Sequence, residues 1–203
     1  MTEDLIHALV LLQNWGPDEA VRRSLIADRH VVSLFHVMGR HSYLMDANFD
    51  HKEQLSAWIT AIKTMTLPSG VPAVISLQTQ RIIDVHKRKE DFTLSDYLGM
   101  KDRYHFFVKI DAPHHDPSLL RLLIKSPIVH SVLHVQGENT FTIEIIVESY
   151  GDYRELLSRM KKFASILHIE TQEVVTVLKY RNHALDEGGR VVRGEDIREI
   201  FTL

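Results

Sequence analysis

Val31-Val32-Ser33-Leu34-Phe35-His36-Val37-Met38-Gly39 and Val129-His130-Ser131-Val132-Leu133-His134-Val135-Gln136-Gly137 are one stretch written twice, 98 residues apart. Each is β-branched and apolar and ends at a glycine, the pattern of a strand running into a hairpin turn. Outward from it the correspondence continues at the same offset. His7 returns as His105, Val10 as Val108, Asp18 as Asp116, Arg23 as Arg121 and Leu25-Ile26 as Leu123-Ile124. Eleven of the 39 ungapped positions from 7 to 45 are identical to their counterparts, where composition alone gives about two or three. A supersecondary unit has been duplicated.

The second copy shows the unit more cleanly. In Tyr104 to Ile110, Phe106, Val108 and Ile110 alternate with His105, Phe107 and Lys109, a strand with one firmly buried face. Asp116-Pro117 follows as an N-cap with proline at the first helical position, before a short helix carrying Leu119, Leu120, Leu122 and Leu123. Ile128 to Gln136 and Asn139 to Val147 form a hairpin around Gly137; Tyr153, Leu156, Leu157, Met160 and Phe163 have helical spacing; Ile169 to Tyr180 returns as a strand. The first copy repeats that order. Leu5 to Leu12 is its first strand and Gly16-Pro17 opens its first helix. Val31 to Met38 and His41 to Phe49 pair around Gly39, Leu55, Trp58, Ile59 and Ile62 mark the second helix, and Val71 to His86 returns.

The order β-α-β-β-α-β, twice, predicts an α+β protein of two tandem ferredoxin-like domains. They are of the dimeric α+β barrel type, with sheets packed face to face within one chain or between chains. The expected divisions are a first domain over 1–88, a polar linker over 89–103, a second domain over 104–182 and a tail over 183–203. The linker has one possible amphipathic turn at Leu94, Tyr97 and Leu98. The tail contains Gly188-Gly189 and a possible short helix from Glu195 to Phe201, with Ile197, Ile200 and Phe201 on one edge. It either folds back on its own domain or docks on a partner protein.

Composition narrows the function classes. A formal charge of −3 offers no global attraction to nucleic acid. The basic clusters, Lys87-Arg88-Lys89 and Lys161-Lys162, lack the aromatic interleaving of single-strand binders and read as solvated element ends. With no cysteine, disulfides, thiolate metal sites and cysteine nucleophiles are excluded. No stretch approaches the ~20 apolar residues of a membrane span, and the N-terminus lacks the basic start of an export signal. The expectation is a cytoplasmic protein without membrane or direct nucleic-acid contact.

These residues resemble the ligand-binding regulatory domain of the Lrp/AsnC transcription regulators, whose hairpin reads V-x-x-V-Y-x-V-T-G-x-Y-D and whose last strand opens with T-E-T. The two quoted stretches resemble the first pattern. Ile169-Glu170-Thr171-Gln172 resembles the second, with Leu77-Gln78-Thr79-Gln80 its weaker counterpart. The resemblance covers residues 4 to 180 as two domains in tandem. It implies an amino-acid effector site lined by the hairpin turn and the start of the last strand. Carried over, that site comprises Gly39, Arg40, His41, Ser42, Gln78 and Thr79 in the first copy. In the second it comprises Gly137, Glu138, Asn139, Thr140, Glu170 and Thr171. Two departures stand out: there is no room for the family's helix-turn-helix, and hydroxyls, Ser42 and Thr140, replace the carboxylate after the hairpin glycine.

Alternation suggests a second candidate set. His7 and His105 face away from the helices, and His36 and His134 are expected to join them, diagonal to Asp46 and Glu144. Two histidines and a carboxylate on one sheet face would suit a metal or haem ligand set or an acid-base pair. Alternatively they are interface histidines held by hydrogen bonds, which is the reading preferred. Strand alternation supplies only two ligands per copy, so no metal site is assigned. The His114-His115-Asp116 cluster reads as a surface loop, since Asp116 already serves as an N-cap. Arg40 with His41 could contact a carboxylate or phosphate, though an exposed turn explains them too.

The leading expectation is therefore a small-molecule-sensing, oligomerising relative of the Lrp/AsnC regulators without its own DNA-binding domain. Its effector would be an amino-acid-type molecule and its partners copies of itself or a protein captured by the tail. No catalytic residue and no cofactor is assigned. The alternative is a ferredoxin-like α+β barrel enzyme or haem-, tetrapyrrole- or metal-binding protein using His7, His36, His105 and His134. A third reading is a pure scaffold acting through the tail.

Overall fold

A computed structural model describes residues 5–15, 19–88, 95, 99, 103–112, 116–186 and 190–192. Gly16-Pro17, His114-His115, the Leu94, Tyr97 and Leu98 turn, Gly188-Gly189 and the Glu195 to Phe201 helix lie outside those residues. The chain divides into two compact units, one of residues 1–79 with 175–203 and one of residues 80–174.

The first unit contains β1 (Ile6–Asn14), α1 (Glu19–Ala27), β2 (Val31–Met38), β3 (Tyr43–Phe49), α2 (Lys52–Lys63) and the opening residues of β4 (Val74–Arg88). Its strands are ordered β2-β3-β1-β4, the ferredoxin-like arrangement. Ile6, Ala8, Val10 and Leu12 of β1 share a core with Tyr43, Met45, Ala47 and Phe49 of β3, and with Val21, Leu25, Trp58 and Ile62 of the helices. Each fully buried Leu or Val there contributes about 1.5–3 kcal/mol. Trp58 also donates its indole N–H to Asp28 Oδ2 at 2.6 Å, so its polar edge is satisfied inside the core.

The second unit repeats the plan with β5 (Tyr104–Asp111), α3 (Pro117–Lys125), β6 (Val129–Gln136), β7 (Phe141–Val147), α4 (Tyr150–Met160) and the first half of β8 (His168–Tyr180). The predicted cap is present: Asp116 Oδ1 accepts from the Ser118 and Leu119 N–H groups at 2.9 and 3.1 Å, with Pro117 opening α3. Phe106, Val108 and Ile110 pack with Leu119, Leu123, Ile143, Ile145, Tyr153 and Leu156. The α+β class with ferredoxin-like units is thus the observed one.

The boundaries differ from 1–88 and 104–182. β4 is 15 residues long and β8 is 13, and the division between the units falls inside each, after Thr79 and after Val174. The second half of β4 pairs with β6 in the second unit, from Arg81 opposite Gln136 to Arg88 opposite Ser131. Residues from Val175 onward belong to the first unit. There Asn182 N–H bonds the Val32 carbonyl at 2.8 Å, and Lys179 Nζ bonds the Asp28 carbonyl at the same distance. The tail follows: β9 (His183–Ala184) pairs with Lys179 and Tyr180, and Ala184 and Val192 enter the first unit's core. No helix among the described residues is long and apolar enough to cross a membrane.

Candidate functional site

The two hairpins place the histidines differently from the alternation argument. Each closes through a four-residue turn, with Val37 N–H bonded to the Ser42 carbonyl at 2.9 Å and Val135 N–H to Thr140 at 3.0 Å. Each incoming strand also carries a β-bulge, between Val31 and Ser33 and between Val129 and Ser131. A one-residue shift transfers every side chain to the other face. His36 is consequently opposite Tyr43, and His134 opposite Phe141, both partners belonging to the helix-side cores. The expectation that His36 joins His7 on the helix-free face, diagonal to Asp46, is corrected; Phe35, opposite Leu44, takes that place.

Of the four candidate histidines, His7 and His105 remain on the helix-free face, each beside a carboxylate. His7 Nε2 contacts Asp46, and His105 Nε2 lies 3.0 Å from Glu144. Burial alone would raise the Glu144 carboxyl. The hydrogen bond and charge of His105, with His130 and Ser131, outweigh it and hold the group below the ordinary carboxylate range. Each pair joins one imidazole to one carboxylate. Among the described residues no group of three or more His, Asp or Glu could hold a metal ion.

His36 has a different setting. It is half-buried at the end of β2, its ring 5.7 Å from that of Tyr43, and no hydrogen bond to it is found among the described residues. Desolvation, with the nearby Arg22 charge, pushes its pKa below the usual histidine value, so the imidazole is neutral at neutral pH. It opens on a cavity of about 430 Å³ within the first unit, lined also by Asn14, Met38, Gly39, His41, Ser42 and Val175. That volume lies in the range of small-molecule sites. Gly39 has φ +148°, a conformation side chains disfavour, which lets the turn bend around the cavity. In the second unit the equivalent His134, also half-buried, stacks on His86 at 5.9 Å and leans on Phe141 at 5.4 Å.

The residues carried over from the regulatory-domain resemblance divide. Gly39, His41 and Ser42 line the cavity with His36; Arg40, Gln78 and Thr79 are not in its lining. Ser42 Oγ accepts from Asn14 N–H at 3.3 Å, and Thr140 Oγ1 from Ala112 N–H at 3.1 Å. The hydroxyls standing where a carboxylate was expected therefore tie the turn to the end of the first strand in both copies. Glu170 and Thr171 point to opposite faces. Thr171 Oγ1 is 2.6 Å from the Tyr153 hydroxyl on the helix side, while Glu170 reaches Lys109 Nζ at 2.7 Å on the other. Gly137 is crowded by Gln80, and Glu138 and Asn139 are in the turn with it. Sequence reasoning missed Asn14 and Tyr43, which only the hairpin register brings to His36.

No family model matches the chain, and no curated protein sequence does. Solved structures match it over nearly its whole length. A siroheme decarboxylase, NirDL, superposes with a TM-score of 0.63 at 7% identity, covering 97% of this chain and 77% of its own. A mutant chlorite dismutase from Candidatus Nitrospira defluvii has a TM-score of 0.53 at 10% identity, covering 98% and 95%. An anthrone oxidase-like protein has 0.50 at 14%, covering 95% and 98%. These likenesses define the class by fold, tandem ferredoxin-like α+β. The expectation of an Lrp/AsnC-like sensor, and with it a transcription-regulation role, is corrected. The structures that share this fold along the whole chain are named for enzymes, and the resemblance extends to the fold alone.

Proposed function

We propose that this protein binds a haem-type tetrapyrrole in the first unit's cavity, with His36 as the residue that holds its iron. The observation that carries the reading is a neutral, otherwise uncommitted imidazole opening on a cavity of about 430 Å³. Iron binds neutral imidazole, so a histidine whose pKa is depressed by burial is already in its ligating form. Val37, Met38, Tyr43 and Val175 supply apolar wall, and Asn14, His41 and Ser42 supply polar groups, as a flat macrocycle with polar substituents requires. The fold likeness to a siroheme decarboxylase supports the same ligand class.

A bound iron tetrapyrrole would supply redox or Lewis-acid chemistry that no side chain of this chain offers. The chain's own part is to hold and orient. Tyr43 packs beside the His36 ring, and burial, with the Arg22 charge added, favours the deprotonated imidazole. The second unit's His134, stacked on His86, is occupied by packing and has no part in this site.

The test is titration of the purified protein with iron(III) protoporphyrin IX, followed by the Soret absorption. Wild type should bind and shift the band, and His36→Ala should weaken binding at least ~10-fold while its unfolding midpoint stays within ~0.5 kcal/mol of wild type, His36 being half-exposed. Equal binding by the two proteins overturns the proposal.

A further inference from the structure

Three of the chain's six tyrosines meet in the second unit, where β5 and α4 begin. Tyr104 and Tyr150 are in edge-to-face contact, their ring centroids 5.7 Å apart and their planes at 76°. Phe106 touches both. It is parallel to Tyr104 at 6.3 Å and edge-on to Tyr150 at 5.8 Å, and it lies flat on Tyr153 at 4.0 Å. Phe106 and Tyr153 are core residues, 1% and 3% exposed, so their rings are fixed by packing. Tyr104 and Tyr150 are 42% and 44% exposed. Two phenols thus stand in contact, positioned by the core and open to solvent.

We infer that Tyr104 and Tyr150 form an oxidative modification site, at which a peroxide, acting through a one-electron oxidant, joins the two rings as dityrosine. Each phenol gives up one electron and one proton. The two phenoxyl radicals bond through the ring carbons ortho to oxygen, and the two ring hydrogens pass to the oxygens as aromaticity returns. The two electrons and two protons released reduce one hydrogen peroxide to two waters. An edge-to-face pair needs only side-chain rotation to bring those carbons together, and exposed side chains change rotamer within nanoseconds. Tyr153 is the competing partner, its ring 5.4 Å from that of Tyr150. Its setting disfavours it: the ring is buried, and the hydroxyl is held 2.6 Å from Thr171 Oγ1. Burial also raises its pKa, which withholds the phenolate, the form that yields an electron most readily. The chain has no cysteine to intercept a phenoxyl radical. The product ties residue 104 to residue 150, a covalent loop closure in a chain that can form no disulfide. This site is independent of the His36 cavity.

The experiment treats the dilute full-length protein with hydrogen peroxide and a trace of peroxidase. Dityrosine is then read by its fluorescence, and cross-linked peptides are mapped by mass spectrometry. Wild type should give a single-chain product in which the peptides of Tyr104 and Tyr150 are joined, lighter than their sum by two hydrogens. Tyr104→Phe and Tyr150→Phe, which keep the rings and remove one phenol each, should lower the yield at least ~10-fold, since a phenol held in contact outcompetes free ones. Tyr153→Phe, which removes the competing phenol, should stay within ~2-fold of wild type on the same argument. No joined Tyr104 and Tyr150 peptide in wild type, an unchanged yield in either single variant, or loss of the link in Tyr153→Phe overturns the site. Coupling found only between chains, as a covalent dimer whose yield falls on dilution, overturns the pairing within one chain.

Discussion

Replacing Lys109 with leucine, the residue the first copy carries at Leu11, should destabilise the second unit although it makes the face more apolar. The reason is Glu170, which would lose its partner while remaining only 21% exposed. Breaking a fully buried ion pair from one side costs about 3–5 kcal/mol. Here water reaches part of Glu170, and Gln172 Nε2 still donates to it at 3.3 Å. The expected cost is therefore reduced to about 2–3 kcal/mol. For a chain of this length that corresponds to about 5–10 °C in Tm. The assay is urea unfolding with an unchanged m-value, run as a double-mutant cycle with Glu170→Gln. Glu170→Gln alone should also destabilise, by leaving the Lys109 ammonium buried without its counter-charge. The double variant, which copies Leu11 and Gln78 of the first repeat, should return to within ~1 kcal/mol of wild type, with a coupling of about 1–3 kcal/mol. A cost below ~0.5 kcal/mol for Lys109→Leu, or strict additivity in the cycle, refutes the pairing as an energetic unit.

Other outcomes follow from the same geometry. The Glu144 carboxyl is held below its ordinary pKa, mainly by His105 against the opposing effect of burial. It therefore contributes stability that is present above the unfolded value of about 4.3 and lost as pH falls through the lower folded value. Glu144→Gln should lower stability at pH 7 and flatten its decline in acid, read from urea midpoints between pH 7 and 3; an unchanged acid slope contradicts it. Gly137→Ala should cost about 1–2 kcal/mol by pressing on the fully buried Gln80 from 3.3 Å, checked by the same unfolding assay, and a neutral result would mean that β4 yields there.

The fold was legible because duplication writes its periodicity twice. Strand alternation at Phe106, Val108 and Ile110, helical spacing at Leu55, Trp58 and Ile62, and the Asp116-Pro117 cap each carry a local signal. What was not legible depends on single residues of register. A bulge at Val31/Ser33 and a four-residue turn moved His36 to the face opposite the one alternation assigned, and nothing in the sequence marks a bulge without a glycine. The sharing of β4 and β8 between units was hidden too, since a long β-branched strand reads the same whether one sheet or two use it. Lys109 did leave a trace. A lysine alternating with His105 and Phe107 on a face expected to be buried is an anomaly, and burial of that face turns the anomaly into a paired charge.

Stoichiometry of tetrapyrrole loading tests the central claim most directly. Iron(III) protoporphyrin IX is titrated into wild type, His36→Ala and His134→Ala, and bound haem per chain is counted from pyridine haemochrome and protein concentration. The cavity beside His36 and the packed state of His134 predict about one haem per chain for wild type and His134→Ala, and loss of that stoichiometric site in His36→Ala. Retention of one haem by His36→Ala, or its loss in His134→Ala alone, would contradict the account.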